Sequence, residues 1–187
     1  MSAMKQITKV DSSQKLITFL QKTNLHKKDF AEMIGVTLSY VYSLIDKSIP
    51  FSTRNTTLER IAIVMDIDPE TFPEYKPSEE PKLIDEGVQF LKEKQKELGL
   101  STIQILKKFP RTKRAEVVDL LRGAKPLPLD WESLSYIAGV LELDNKTIYP
   151  YWQARVQQHL ASGGLHLTSN SGLINSMLEG ARKYLKA

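Results

Sequence analysis

Apolar residues return every three or four positions along most of this 187-residue chain. In its first third, KLITFLQKT (15–23), KKDFAEMI (27–34), LSYVYSLID (38–46) and LERIAIVMDI (58–67) each gather apolar side chains on one helical face. Phe30 and Ile34 stand four apart, and Val41, Leu44 and Ile45 keep the same period. No stretch alternates as a half-buried strand would, so the pattern predicts an all-α protein. Helix-start signals agree with it. Thr56 with Glu59, and Ser101 with Gln104, have capping-box spacing. Asp68 before Pro69 reads as an N-cap followed by proline in the first turn of a fifth helix. Asp130 reads as the cap of a helix in the second half.

The pattern then repeats. TLERIAIVMDIDPETFPEY (57–75) aligns without a gap on SLSYIAGVLELDNKTIYPY (133–151), at an offset of 76 residues. Leu58 falls on Leu134, Ile61 on Ile137, Ala62 on Ala138, Asp68 on Asp144 and Thr71 on Thr147. Leu44 and Pro50 fall on Leu120 and Pro126 at that same offset. Further upstream the offset is 75, which pairs Leu25 with Leu100, Phe30 with Ile105 and Ile34 with Phe109. One residue is therefore inserted near the turn of the second copy. The expected organisation is two related units, 11–75 and 83–152, each a bundle of about five short helices. Residues 76–82 join them, and KPSEEP (76–81) reads as an exposed, extended linker. A helical tail, 153–187, follows. There Leu173, Ile174, Met177, Leu178, Ala181, Tyr184 and Leu185 form one apolar stripe, and residues 149–160, with Trp152 and Val156, predict another helix. Such a stripe either packs back on its own chain or pairs with a second copy.

The stretch FAEMIGVTLSYVYSLI (30–45) carries the most specific signal. Two helical runs are parted only by Gly35, Val36 and Thr37. Ala31 is small where the helices would cross, and Gly35 can adopt the positive φ of a sharp turn. Phe30 and Ile34 anchor one helix, and Val41 and Leu44 the next. This stretch resembles the helix-turn-helix of the lambda-repressor-like, or XRE, family, in Phe30, Ala31, Ile34, Gly35, Val36, Val41 and Leu44. The likeness covers about residues 13–73 and, more weakly, 84–150. It implies two tandem lambda-repressor-like five-helix bundles, and a sequence-specific DNA-binding transcriptional regulator that sets helix 38–46 in the major groove of double-stranded DNA.

Under that resemblance Leu38, Ser39, Tyr40, Tyr42 and Ser43 face the bases, with Thr37 as N-cap of the reading helix. Tyr40 would reach a phosphate or lie against a thymine methyl. Lys27 and Lys28 would sit by the phosphates, as would Lys47, Ser48, Thr53 and Arg54 in the following loop. The chain departs from the family pattern where glutamines and an arginine are common, at Lys27, Leu38 and Ser43. Strong bidentate base readout is therefore absent from this face, and specificity should be modest. The second copy departs further. Pro110 and Arg111 replace the glycine turn, and Lys107 stands where the small alanine belongs. Its KKFPRTKR (107–114) holds Lys107, Lys108, Arg111, Lys113 and Arg114, the densest positive cluster of the chain. It predicts backbone contacts, a second groove contact or a dimer surface. Related regulators often dimerise on paired half-sites, so the tail stripe is read as a homodimer surface.

Charge and composition narrow these readings. The formal net charge is +4, and residues 11–75 hold seven Lys/Arg against nine Asp/Glu, so DNA binding must use local patches rather than a global field. The chain has no cysteine, which excludes disulfides, thiolate metal sites and a thiol nucleophile. No apolar run reaches the ~18 residues of a membrane span, and MSAMKQITKV lacks an apolar signal core, which fits a cytoplasmic protein. Asp66, Asp68 and Glu70 alternate as metal ligands can, but without the glycine and spacing of a calcium loop. His26, His159 and His166 have no ligand spacing, so neither metal nor cofactor is expected. Trp131 and Trp152 read as core or interface anchors. With no nucleophile–base pair and no nucleotide loop, an enzyme is not expected. A second reading stays open: a protein-interaction module, such as an antitoxin or adaptor, on the same fold. The acidic balance of the first unit and its missing glutamines and arginine favour it.

Overall fold

The computed structural model describes residues 12–77 and 85–162, together with Arg182. Among them the chain is all-helical, with nine α-helices and no strand. They are α1 (Ser12–Thr23), α2 (Lys27–Ile34), α3 (Leu38–Ile45), α4 (Asn55–Val64), α5 (Glu86–Glu97), α6 (Thr102–Lys107), α7 (Arg114–Leu121), α8 (Trp131–Val140) and α9 (Asn145–Ser162). Short 3-10 turns stand at Pro69–Thr71 and Arg111–Lys113. The apolar stripe at 172–187 and residues 78–82 of the expected linker lie outside the described residues.

The chain divides into two compact units. One is drawn from Met1–Glu79 with Phe109–Val118, the other from Glu80–Lys108 with Asp119–Ala187. Thus residues 109–118 of the second copy count with the first unit. The first unit buries Leu16, Phe30, Met33, Ile34, Val41, Leu58, Ile61, Ala62 and Val64, the inward stripes of α1 to α4, together with Phe72 after the turn at Pro69–Thr71. The second buries Leu91, Ile105, Leu106, Leu127, Leu134, Ala138, Ile148 and Trp152. Both tryptophans belong to that core. Trp131, Tyr149 and Trp152 meet pairwise with centroids 5.2–5.8 Å apart, and the Trp152 indole donates to the Leu129 carbonyl at 3.0 Å.

The sequence repeat persists in the backbone hydrogen bonds. Helix α1 ends on Asn24 at φ 49°, with the Leu25 N–H on the Leu20 carbonyl; α5 ends on Gly99 at φ 61°, with the Leu100 N–H on the Gln95 carbonyl. Helix α4 ends at Asp66, φ 53°, with Ile67 bonded to Ala62, and α8 at Glu142, φ 58°, with Leu143 bonded to Ala138. Each is a left-handed cap with a six-to-one bond, which satisfies a carbonyl that the helix leaves open. The offsets are the 75 and 76 residues of the alignment.

Several caps match the expected ones. Asp130 accepts from the Ser133 N–H at 2.9 Å, and Ser101 with Gln104 forms a reciprocal capping box. Others do not. Helix α4 starts at Asn55 after Arg54, not at Thr56. Asn55 instead pairs with the Lys76 backbone, and the buried Glu59 accepts from the Tyr75 hydroxyl at 3.0 Å, so neither supports a box. Asp68 does cap, but its helix is only the 3-10 turn Pro69–Thr71. In the second copy the corresponding start is the long α9, which continues through Pro150 to Ser162 and joins the two helices expected there.

Candidate nucleic-acid interface

The turn between α2 and α3 is built by one residue in the left-handed region. Gly35 has φ 69° and ψ 41°, and the Val36 N–H returns to the Ala31 carbonyl at 3.0 Å. A side chain there would be strained by the backbone and would also meet the Ala115 methyl at 3.1 Å and the Arg60 guanidinium at 3.2 Å. Arg60, on α4, donates to the Ile34 carbonyl at 3.2 Å and so closes the open end of α2. Thr37 then opens α3, with its hydroxyl accepting from the Tyr40 N–H at 3.2 Å. Val41 and Leu44 are buried, and this fixes which face of α3 turns outward.

That outward face carries Leu38, Ser39, Tyr42 and Ser43, all exposed, with Leu38 at 37% and Tyr42 at 52%. The Ser43 hydroxyl donates back to the Ser39 carbonyl at 3.2 Å. Tyr40 stands apart from the expected face. It is half-buried, and its hydroxyl donates to Thr53 Oγ1 at 2.5 Å, which ties α3 to the loop before α4. The structure gives it a structural contact, with Thr53 as the acceptor.

Lys27, Lys28, Lys47 and Arg54 are exposed, and the Lys27 ammonium lies 5.5 Å from the Tyr42 ring centroid, a cation–π contact at the edge of the α3 face. Beside Lys47, Asp46 holds a negative charge. The Ser48 hydroxyl and then the Ser48 N–H bond its carboxylate at 2.6 and 2.9 Å and hold it below the usual carboxylate range.

The cluster at 107–114 is divided. Arg111 donates toward Asp29 at 3.2 Å and Glu32 at 3.5 Å, both on α2, and Arg114 lies 4.0 Å from Asp29 while its Nε donates to the Phe109 carbonyl. In this structure the guanidiniums of Arg111 and Arg114 face carboxylates of α2, and Arg111 stays 58% exposed. Lys113 pairs at 3.1 Å with Glu116 on an exposed surface, where such a pair adds little. Lys107 and Lys108 are exposed in the second unit, and Lys108 approaches the Val140 carbonyl at 3.4 Å. A groove of about 550 Å³ lies beside Lys108, lined by Trp131, Glu132, Ser135, Tyr136 and Gly139. The Tyr136 hydroxyl there donates to the Lys108 carbonyl.

Helix α7, the counterpart of α3, lacks an outward face along its second half. Tyr42 and Ser43 correspond to Val118, 0% exposed, and Asp119, 7% exposed. Val117, Leu120 and Leu121 are buried too, and Asp119 bonds the Arg122 guanidinium at 2.9 Å.

No protein-family model, curated protein or solved structure matches the chain.

Among the described residues no helix is long and apolar enough to cross a membrane, and no three His, Asp or Glu side chains are grouped to hold a metal ion. Three contributors were missed in the sequence: Arg60, Ala115 and the Asp29–Glu32 pair. The signal for Asp29 and Glu32 was present, since they are acidic residues three apart on one face of α2. Arg60 and Ala115 had none, because what they touch is far away in the chain.

Proposed function

We propose that this protein is a sequence-specific DNA-binding transcriptional regulator built from two tandem lambda-repressor-like five-helix units and a C-terminal helical tail. In this reading α3 of the first unit enters the major groove. The observation that carries it is the exposed face Leu38–Ser39–Tyr42–Ser43 on a short helix, set at its N-terminal end by the left-handed turn at Gly35 and the Thr37 N-cap, and flanked by exposed Lys27, Lys28, Lys47 and Arg54. Such cations would bind phosphates and fix the register, while the helix face reads bases. The ion pairs of Arg111 and Arg114 support the reading indirectly. They neutralise Asp29 and Glu32, two charges on α2 that would repel phosphates.

Binding to random-sequence duplex DNA, measured across a salt series, tests this. Lys28→Ala with Lys47→Ala should lower affinity and flatten the log–log salt slope by up to ~1.8, about 0.9 for each lost phosphate contact. Unchanged affinity and slope in the double variant would remove these lysines from the interface. Absence of binding at low salt would favour the second reading, a protein-interaction module. Its support is the apolar exposure of Leu38, Tyr42 and Ile49, side chains that a protein partner would cover.

A further inference from the structure

We infer that this helix reads thymine methyl groups, with Leu38 as the specificity-determining residue. The inference rests on the DNA-binding reading and deepens it by naming what the α3 face can recognise. The groups able to hydrogen-bond with bases are few there. Tyr40 is tied to Thr53, Ser43 is bonded back to Ser39, and the face holds no Arg, Asn, Gln, Asp or Glu. What it does offer is apolar surface. Leu38 is the first residue of α3, 37% exposed, and Tyr42 follows one turn later on the same side at 52%. The ammonium of Lys27 lies over its ring, 5.5 Å from the centroid.

In the major groove the thymine C5-methyl is the apolar group that distinguishes one base from the other three. A leucine at the first position of a groove-facing helix gains by covering it and has nothing to bond with an amino or carbonyl edge. Against guanine or cytosine at the same place, Leu38 would cover polar edge groups without bonding them, which costs their hydration. Specificity from this face is then a preference for thymine at one or two fixed steps, set by burial rather than by bidentate bonds.

The test uses the full chain and a duplex enriched from a random-sequence pool. Each thymine of that duplex is replaced in turn by uracil, which removes the methyl and leaves every hydrogen-bonding group in place. For the native chain, at least one replacement should weaken binding about fourfold, the size expected for one carbon's removal from water. Leu38→Ser should bind the thymine duplex that much more weakly and lose its response to uracil at that position, so that the two changes together cost no more than either alone. The uracil arm needs no variant protein, and Leu38→Met, which keeps an apolar contact, should retain the response. Binding that ignores uracil at every position, or a uracil effect that persists in Leu38→Ser, would overturn the inference and leave DNA binding standing. A pool that yields bound but unenriched DNA would overturn it in the same way. No retention of any duplex at low salt would overturn it together with the DNA-binding reading.

Discussion

Helices α3 and α7 hold corresponding places in the two copies, yet one presents a polar and apolar outer face while the other is buried on nearly every side from Val117 onward. The difference begins at the helix ends. Both copies close their first and fourth helices with left-handed caps at matching positions, Asn24 with Gly99 and Asp66 with Glu142. They part company between. The first copy places its left-handed residue before the third helix, at Gly35; the second places it after, at Gly123, where the Ala124 N–H returns to the Asp119 carbonyl. Where Gly35 turns the chain sharply, the second copy runs through Pro110 and the 3-10 turn Arg111–Lys113. The position of the left-handed glycine thus differs between the two copies where their third helices differ in exposure. The repeat keeps the outer caps, and the turn chemistry differs between them.

The strongest way to probe this contrast is charge. Asp119 and Arg122 are paired with side chains only 10% and 13% exposed. Arg122→Ala should lower unfolding free energy by about 3 kcal/mol, because a buried carboxylate would lose its cation. The outer pair should behave differently: Arg111→Ala, whose side chain is 58% exposed, should cost less than ~1 kcal/mol. Urea unfolding of both variants measures this, and equal losses would erase the distinction between a core pair and a surface screen.

The turns come next. Gly35→Ala should cost about 2 kcal/mol, since it adds left-handed strain to close contacts with Ala115 and Arg60. At Gly99, φ is also positive but the space is open, so Gly99→Ala should cost only about 1 kcal/mol. Gly99→Asn should recover part of that, because Asn24 already holds the matching position in the first copy. Thermal midpoints of the three variants should rank accordingly; a Gly35→Ala midpoint at or above that of Gly99→Ala would contradict the role given to the first turn. Ser101→Ala removes the capping box of α6 and should cost ~1 kcal/mol.

A smaller effect concerns pH. Burial, and then the hydrogen bond to Glu59, push the Tyr75 phenol above its ordinary value of 10. The folded state therefore keeps a proton that the unfolded chain releases. Its contribution is full below pH 10 and is lost as pH rises from there through the raised folded value. Tyr75→Phe should flatten that alkaline decline in urea midpoints, and an identical decline in the variant would assign it elsewhere.

Much of this was legible in the residues. The all-helical class, the repeat with its shift from 75 to 76, the Gly35 turn and the Thr37, Ser101 and Asp130 caps all rest on local spacing, which a sequence displays directly. Three left-handed caps were less visible, because Asn24, Asp66 and Glu142 are not glycines; only Asn24 is flagged by alignment, through its partner Gly99. The partners of the basic cluster were hidden for a different reason. Its charge is plain in KKFPRTKR, but the carboxylates that hold Arg111 and Arg114 lie on α2, far upstream. A sequence window shows the sign of a charge and not what it faces. Tyr40 likewise shares the period of the outer face, and its bond to Thr53 shows only in the fold.

The central claim is that the outer face of α3 meets DNA. Backbone amide shifts of the full chain, recorded on adding an enriched duplex at low salt, test it most directly. The account predicts changes concentrated at residues 37–48 with Lys27 and Lys28, and little change at 117–121. Changes centred on the second unit, with residues 37–48 silent in the presence of bound duplex, would contradict it.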